Sequence, residues 1–243
     1  MSRVELSFVL PAYNEEDFIE GALDALDRVV GGNGLRYEIV VVDDGSVDST
    51  RLKASRYAGR NGHVRVIGYD RNLGKGYAIR KGFAQVAGDA VVFVDSDLEI
   101  DLTKLSGYVE ALRYGDIAIA SKWHPESVVE IPLIRRILGH GFSFLVRLMT
   151  GVKLRDTQTG LKAIRRKAFE NVFPRLAVKR YAFDVELLAV ANLLGLKVVE
   201  MPVTVKMKGL FRLRDVWWMF VDLLGITYRL RVLRWYQRVL KQQ

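Results

Sequence analysis

The sequence predicts an α/β protein, a mostly parallel sheet with helices on both faces, and two observations carry that prediction. Short apolar or β-branched segments alternate with helical patterns from the start of the chain, the pattern that builds parallel sheets. One predicted strand after another then ends in polar or acidic residues. Ligands of such sheets bind outside the carboxyl ends of the strands, so those ends are where chemistry is expected. The bulk numbers agree with one sizeable domain: 243 residues, half of them hydrophobic, are enough to close a packed core.

The predicted strands are Val4–Leu10, Glu38–Asp43, Val64–Tyr69, Ala90–Asp95 and Ile117–Ser121, with helices over 15–30, 48–60, 75–87 and 102–114. The first strand runs into Pro11-Ala12-Tyr13-Asn14-Glu15. Proline fixes φ and ends the strand, Tyr13 offers an aromatic face, and Asn14 suits a helix N-cap. The second ends at Asp43-Asp44-Gly45-Ser46, a tight turn in which Ser46 or Asp48 can cap the next helix. The third leads into Asp70-Arg71-Asn72-Leu73-Gly74-Lys75-Gly76, glycines around a lysine at a helix start. That is a phosphate-contacting pattern, although the P-loop spacing is absent. The fourth is the most informative. Val91–Val94 reads as a buried parallel strand, and Asp95, Asp97 and Glu99 follow at alternate positions. On an extended chain these share one side, where they repel unless a cation sits among them; hard oxygen ligands suit Mg²⁺ or Mn²⁺ held together with substrate phosphates. The fifth strand opens into Ser121-Lys122-Trp123-His124, a polar loop over the same edge.

Further on, 134–150 is apolar with Arg135, Arg136 and Arg147, a candidate membrane-surface helix. Asp156-Thr157-Gln158-Thr159-Gly160 suits either sugar hydroxyls or scaffolding, and Asp184 and Glu186 open a helix to Leu194. The net charge is +9, and residues 212–243 hold seven of the basic residues against two aspartates. In this tail Trp217, Val221, Leu224, Tyr228, Val232, Trp235 and Val239 form one helical stripe. The apolar run Val216–Tyr228 is interrupted by Asp222 and too short to span a bilayer, so a basic, tryptophan-bearing helix at the membrane interface is expected. This divides the chain into a catalytic domain, 1–211, and an interfacial segment, 212–243. There is no cysteine, which excludes disulfides and thiolate metal sites, and the N-terminus runs straight into a strand pattern, so no secretory leader is expected.

Pro11-Ala12-Tyr13-Asn14-Glu15, Val42-Asp43-Asp44-Gly45-Ser46, Asn72-Leu73-Gly74-Lys75-Gly76, Asp95-Ser96-Asp97, Arg155-Asp156-Thr157-Gln158-Thr159-Gly160 and Tyr181-Ala182-Phe183-Asp184-Val185-Glu186 occur in an order that resembles glycosyltransferase family 2. This family has the GT-A fold, a Rossmann-like, mostly parallel sheet, and the chain is similar within it to the dolichyl- or polyprenyl-phosphate mannose and glucose synthases. The resemblance implies that Pro11, Tyr13, Glu15 and Asp43 hold the nucleoside, with Asp70 and Lys75 nearby. It implies that Asp95 and Asp97 bind Mg²⁺ or Mn²⁺ and the donor diphosphate, with Glu99 a third metal contact. Lys122 stands where the family more often has arginine; it keeps the charge and loses the bidentate fork. Arg135, Arg136, Lys208 and Arg212 are candidates for the acceptor phosphate or the diphosphate, with Lys206 and Arg214 beside them. Asp97, Asp184 and Lys122 are the candidate catalytic residues. The implied activity is inverting, metal-dependent transfer of a hexose to a dolichyl or polyprenyl phosphate for glycan assembly. Mannose from GDP-mannose is placed slightly ahead of glucose from UDP-glucose. The expected enzyme is membrane-associated on the cytoplasmic side and binds no nucleic acid. Three rivals stand beside it: a mannosyltransferase acting on a lipid-linked glycan with Asp184 as base; a sugar-nucleotide nucleotidylyltransferase, whose Gly-rich loop with Arg and Lys near the first strand is absent here; and a basic membrane- or nucleic-acid-binding module without catalysis. The last leaves the carboxylates at successive strand ends unexplained.

Overall fold

The structure is a computed structural model that describes residues 4–32, 34–207 and 213–240. Its centre is a seven-stranded sheet in the order β3-β2-β1-β4-β7-β5-β8, built from β1 (Leu6–Ala12), β2 (Tyr37–Asp44), β3 (Val64–Tyr69), β4 (Ala90–Val94), β5 (Ile117–Ser121), β7 (Leu161–Arg165) and β8 (Val198–Pro202). β1, β2, β3 and β4 are parallel, and β5 runs parallel to β8. β7 lies antiparallel between β4 and β5, with Val94 opposite Leu161 and Ile117 opposite Ile164. β6 (Val128–Glu130) and β9 (Thr204–Lys206) form a small second sheet.

The helices are α1 (Ile19–Gly31), α2 (Thr50–Ala58), α3 (Lys75–Phe83), α4 (Leu105–Ala111), α5 (Leu133–Thr150), α6 (Arg166–Val172), α7 (Phe183–Leu193), α8 (Leu213–Thr227) and α9 (Trp235–Leu240). Central strands are apolar on both faces, as sheets covered on both sides require, and they split the interior into two layers. Alternate residues of one strand serve different layers: Val40 and Val42 pack with Ile79 and Phe183, while Ile39 and Val41 pack with Leu23 and Leu26.

The C-terminal segment is part of this body. Leu223, Ile226, Leu230 and Tyr236 are buried in the same cluster as Phe169 and Leu187. The expected single helix is broken: α8 passes through a π-helical turn over Tyr228–Val232, and Arg234 has φ +48° before α9 begins. Glu186 fastens the two parts together. It accepts hydrogen bonds from the N–H groups of Ala177 and Val178 (2.8 and 2.7 Å), from Tyr236 OH (2.5 Å) and from Arg229 (3.3 Å).

Candidate active site

A cavity of about 860 Å³ opens at the carboxyl ends of β1, β4 and β5, a size in the usual range for small-molecule sites. Its acidic wall comes from two turns. After β1, the chain passes Tyr13 and Asn14 (φ +55°) to Glu15. This turn is laced to the one after β2: Ser46 Oγ accepts from Asn14 N–H, Asn14 Oδ1 from Val47 N–H, and Thr50 Oγ1 from Glu15 N–H. Asn14 therefore caps the neighbouring loop rather than α1, which starts at Ile19. After β4, Asp95, Ser96 and Asp97 follow, with Ser96 Oγ donating to Pro11 O at 3.1 Å.

The strand stops at Val94 and Leu98 has φ +56°, so Asp95, Asp97 and Glu99 stand on a turn and do not share one side of an extended chain. Their partners diverge. Lys75 Nζ lies 2.8 and 3.0 Å from the two oxygens of Asp95. Glu99, the expected third metal contact, pairs with Arg135 at 3.6 Å and does not line the cavity. Among the described residues no group of three His, Cys, Asp or Glu side chains could hold an ion unaided. Asp97 is the carboxyl that fits a cation. It lines the cavity, and burial followed by the charge of Asp95 pushes its pKa up. Burial, then Asp97 and Asp95, pushes Glu15 up to about 7. A divalent ion shared by Asp97 and a bound diphosphate would relieve this crowding, since Mg²⁺-type sites use one or two carboxylates plus substrate phosphates.

The lysines of the site are set by carboxylates. Burial works against the charge on Lys75, but Asp95 and Asp184 outweigh it and hold the ammonium protonated. Asp184, at the start of α7, is gripped on both oxygens: Lys162 Nζ lies 2.8 Å from one and Lys75 Nζ 3.5 Å from the other. Lys122 Nζ meets Asp156 at 2.9 Å and donates to Thr159 Oγ1 at 2.7 Å. Burial would raise the Asp156 carboxyl, yet Lys122 and the hydrogen bonds from Thr159 and Gln158 N–H pull it down to about 2. Gly160 closes the corner. Asp95 N–H donates to its carbonyl at 3.0 Å, and a Cβ at this position would run into the Asp95 carboxylate. The Asp156–Gly160 segment is thus scaffolding for Lys122 and Asp95.

Of the expected site residues, Pro11, Tyr13, Glu15, Lys75, Asp95, Asp97, Lys122, Arg135 and Asp184 all line the cavity. Besides Glu99, three others do not. Asp70 faces solvent, 99% exposed, with Arg51 at 4.0 Å. Asp43 is buried against Gly68 and accepts from Ser46 N–H; its neighbour Asp44 reaches the wall, where it accepts from Leu73 N–H, Gly74 N–H and Tyr69 OH. Arg136 is exposed outside the cavity. Lys208 and Arg212 lie outside the described residues; Lys206 pairs with Glu130 at 2.6 Å, and Arg214 lines the cavity. Residues the motifs did not single out are Lys162, a buried charge in the middle of strand β7, and Arg180 and Trp218.

The mouth is apolar, with Leu138 and Phe142 of α5 and Trp218 and Met219 of α8. Outside it α5 exposes Leu133, Ile137, Phe144 and Leu148, and the C-terminal segment exposes Trp217, Leu224, Tyr228 and Val232. Most of the predicted stripe is therefore open; Val221 and Trp235 are half-buried. No described helix is long and apolar enough to cross a membrane.

A sheet of this order with an acidic turn after β4, facing lysines held by carboxylates, defines a GT-A glycosyltransferase fold. Glucosyl-3-phosphoglycerate synthase from Mycobacterium tuberculosis, solved with Mn²⁺, UDP-glucose and phosphoglyceric acid, has that fold: it matches at a TM-score of 0.70 over 93% of this chain and 80% of its own, with 23% identity. Residues 7–173 match the model of glycosyl transferase family 2, and the chain belongs to that family. It is 37% identical over 219 residues to dolichyl-phosphate beta-glucosyltransferase of Drosophila melanogaster, covering 82% of this chain and 66% of the fly protein. It is 35% identical over 212 residues to glycosyltransferase AglD of Haloferax volcanii, covering 85% and 34%. The chain thus spans a third of AglD and just under two thirds of the fly enzyme.

Proposed function

We propose that the chain transfers glucose from UDP-glucose to the phosphate of a dolichyl or polyprenyl carrier, with inversion at the anomeric carbon. The observation that carries this reading is the composition of the larger cavity: carboxylates and lysines at its floor, and apolar side chains of α5 and α8 at its mouth. A nucleotide sugar suits the floor, and an anionic head on an apolar chain suits the mouth. The donor preference departs from the sequence-based ordering. The fly and human relatives are named for glucose, and the related fold has been solved with UDP-glucose; nothing in these relatives favours GDP-mannose.

In this reading Tyr13 offers its ring to the base, Lys75 orients Asp95, and Lys122 is aimed at the diphosphate. A divalent cation on Asp97, Mn²⁺ or Mg²⁺, would supply charge neutralisation for the departing nucleoside diphosphate. A phosphate monoester is already anionic near neutral pH, so it needs no base. That suits Asp184, whose oxygens both face ammonium groups, and it weighs against the rival in which Asp184 deprotonates a sugar hydroxyl. The exposed apolar faces of α5 and α8 support peripheral attachment to a membrane, and the basic tail suits the anionic cytoplasmic leaflet.

The test is a turnover assay with Mn²⁺ or Mg²⁺, a short polyprenyl phosphate, and radiolabelled UDP-glucose and GDP-mannose offered separately. Label entering the organic phase from UDP-glucose alone is expected. Transfer from GDP-mannose instead overturns the donor, and metal-dependent UDP binding without any transfer overturns the acceptor.

A further inference from the structure

Arg180 joins two parts of the molecule. It lines the large cavity, and it also lines a smaller one of about 460 Å³ between residues 177–180 and α8. Its guanidinium lies 4.1 Å from the centroid of the Trp218 ring and donates to Asp222 at 3.0 Å. Both partners are on α8, the helix whose other face exposes Trp217 and Leu224. A guanidinium has five N–H donors; among the described residues this is the only hydrogen bond the Arg180 guanidinium makes.

The cavity's other paired cations are more enclosed. The side chains of Lys75, Lys122 and Arg135 are 16%, 12% and 13% exposed, whereas that of Arg180 is 41% exposed. Of these four, Arg180 is therefore the most open to an entering anion; the exposed Arg214 also lines the cavity. Lys75 is committed to Asp95 and Lys122 to Asp156; Arg180 is held from one side only.

We propose that Arg180 binds the phosphate of the lipid acceptor, with the Trp218 ring backing its guanidinium face and Asp222 holding it at the mouth until the acceptor arrives. This rests on the lipid-phosphate reading above and assigns the acceptor end of the site to a residue outside the sequence motifs for it. Planar, stacked and multiply donating, arginine suits a phosphate better than lysine would here.

The experiment compares wild type, Arg180→Gln and Asp222→Asn. Transfer from UDP-glucose is followed against polyprenyl phosphate concentration, and UDP affinity with Mn²⁺ is measured by calorimetry. Arg180→Gln is expected to raise the KM for the lipid phosphate about 10- to 100-fold, the usual loss for a charge-assisted hydrogen bond, with UDP affinity within about threefold. Asp222→Asn is expected to hold that KM or lower it. Equal impairment by both variants means the pair is a structural latch and overturns the proposal. So does an unchanged KM in Arg180→Gln, or an equal loss of UDP affinity. If wild type binds UDP yet transfers nothing to the lipid, the acceptor reading fails and this inference with it; if wild type transfers and Arg180→Gln matches it, only this inference fails.

Discussion

Replacing Lys162 by methionine isolates the buried ion pair beneath the cavity. Lys162 and Asp184 have side chains only 2% and 6% exposed, and their charged atoms are 2.8 Å apart. Removing one partner of such a pair costs about 3–5 kcal/mol, because the other charge is left buried. Asp184 keeps Lys75 at 3.5 Å, so Lys162→Met falls at the lower end, about 3 kcal/mol, or roughly 6–12 °C in Tm for a chain of this size. Asp184→Asn strands Lys162 with only the Thr159 carbonyl, 2.7 Å away, and falls nearer about 5 kcal/mol. The double variant removes both charges and should cost no more than Asp184→Asn alone, a coupling of about 3 kcal/mol. Urea unfolding followed by tryptophan fluorescence measures all four proteins. A Lys162→Met cost below about 1 kcal/mol, or additive losses in the double variant, would refute the claim that Asp184 is a buried counterion.

Asp97→Ala is expected to abolish transfer while Tm shifts by no more than about 2 °C, because a crowded carboxylate is lost from the wall; near-normal turnover would sink the metal assignment. Gly160→Ala should lower turnover at least about tenfold by pushing Asp95 off Lys75, a misplacement of the kind that costs 10²-fold at active sites, and kinetics beside a thermal melt would separate this from unfolding. Glu15 makes stability pH-dependent without metal: its pKa is raised to about 7, so its contribution is fully present below the ordinary 4.5 and lost as pH rises through 7. Unfolding at pH 5 and pH 8 should show that fall, and Glu15→Gln should remove it; the same slope in the variant would exclude Glu15. Changing Trp217, Leu224 and Val232 together to serine should weaken binding to anionic vesicles by at least about tenfold in a flotation assay, and undiminished flotation would place the membrane contact elsewhere.

The five leading strands were legible because each is a run of apolar or β-branched residues, and β3 and β5 have the expected bounds. β7 was not, since Leu161-Lys162-Ala163-Ile164-Arg165 carries two charges in five residues; it is a strand because β4 and β5 flank it and Asp184 meets its lysine. Spacing alone also cannot show a turn. The alternation of Asp95, Asp97 and Glu99 assumed extended backbone, and the left-handed Leu98 sent Glu99 to Arg135. Strand-end logic found the cavity but could not tell which of two adjacent aspartates points into it, so Asp43 was favoured over Asp44. In the tail, periodicity found one apolar stripe and missed the second, Leu223, Ile226 and Leu230, which is the one in the core. A helix with two apolar faces gives no sign in sequence of which is packed.

That division of α8 makes surface redesign separable from folding. The residues that hold the helix to the body, Leu223 and Ile226, share no positions with those on its open face, Trp217, Leu224 and Tyr228. Polar replacements on the open face leave the packed face and the Glu186 clasp intact. A variant handled in plain buffer, without detergent, and offered short water-dispersible acceptors follows from the helix's own anatomy.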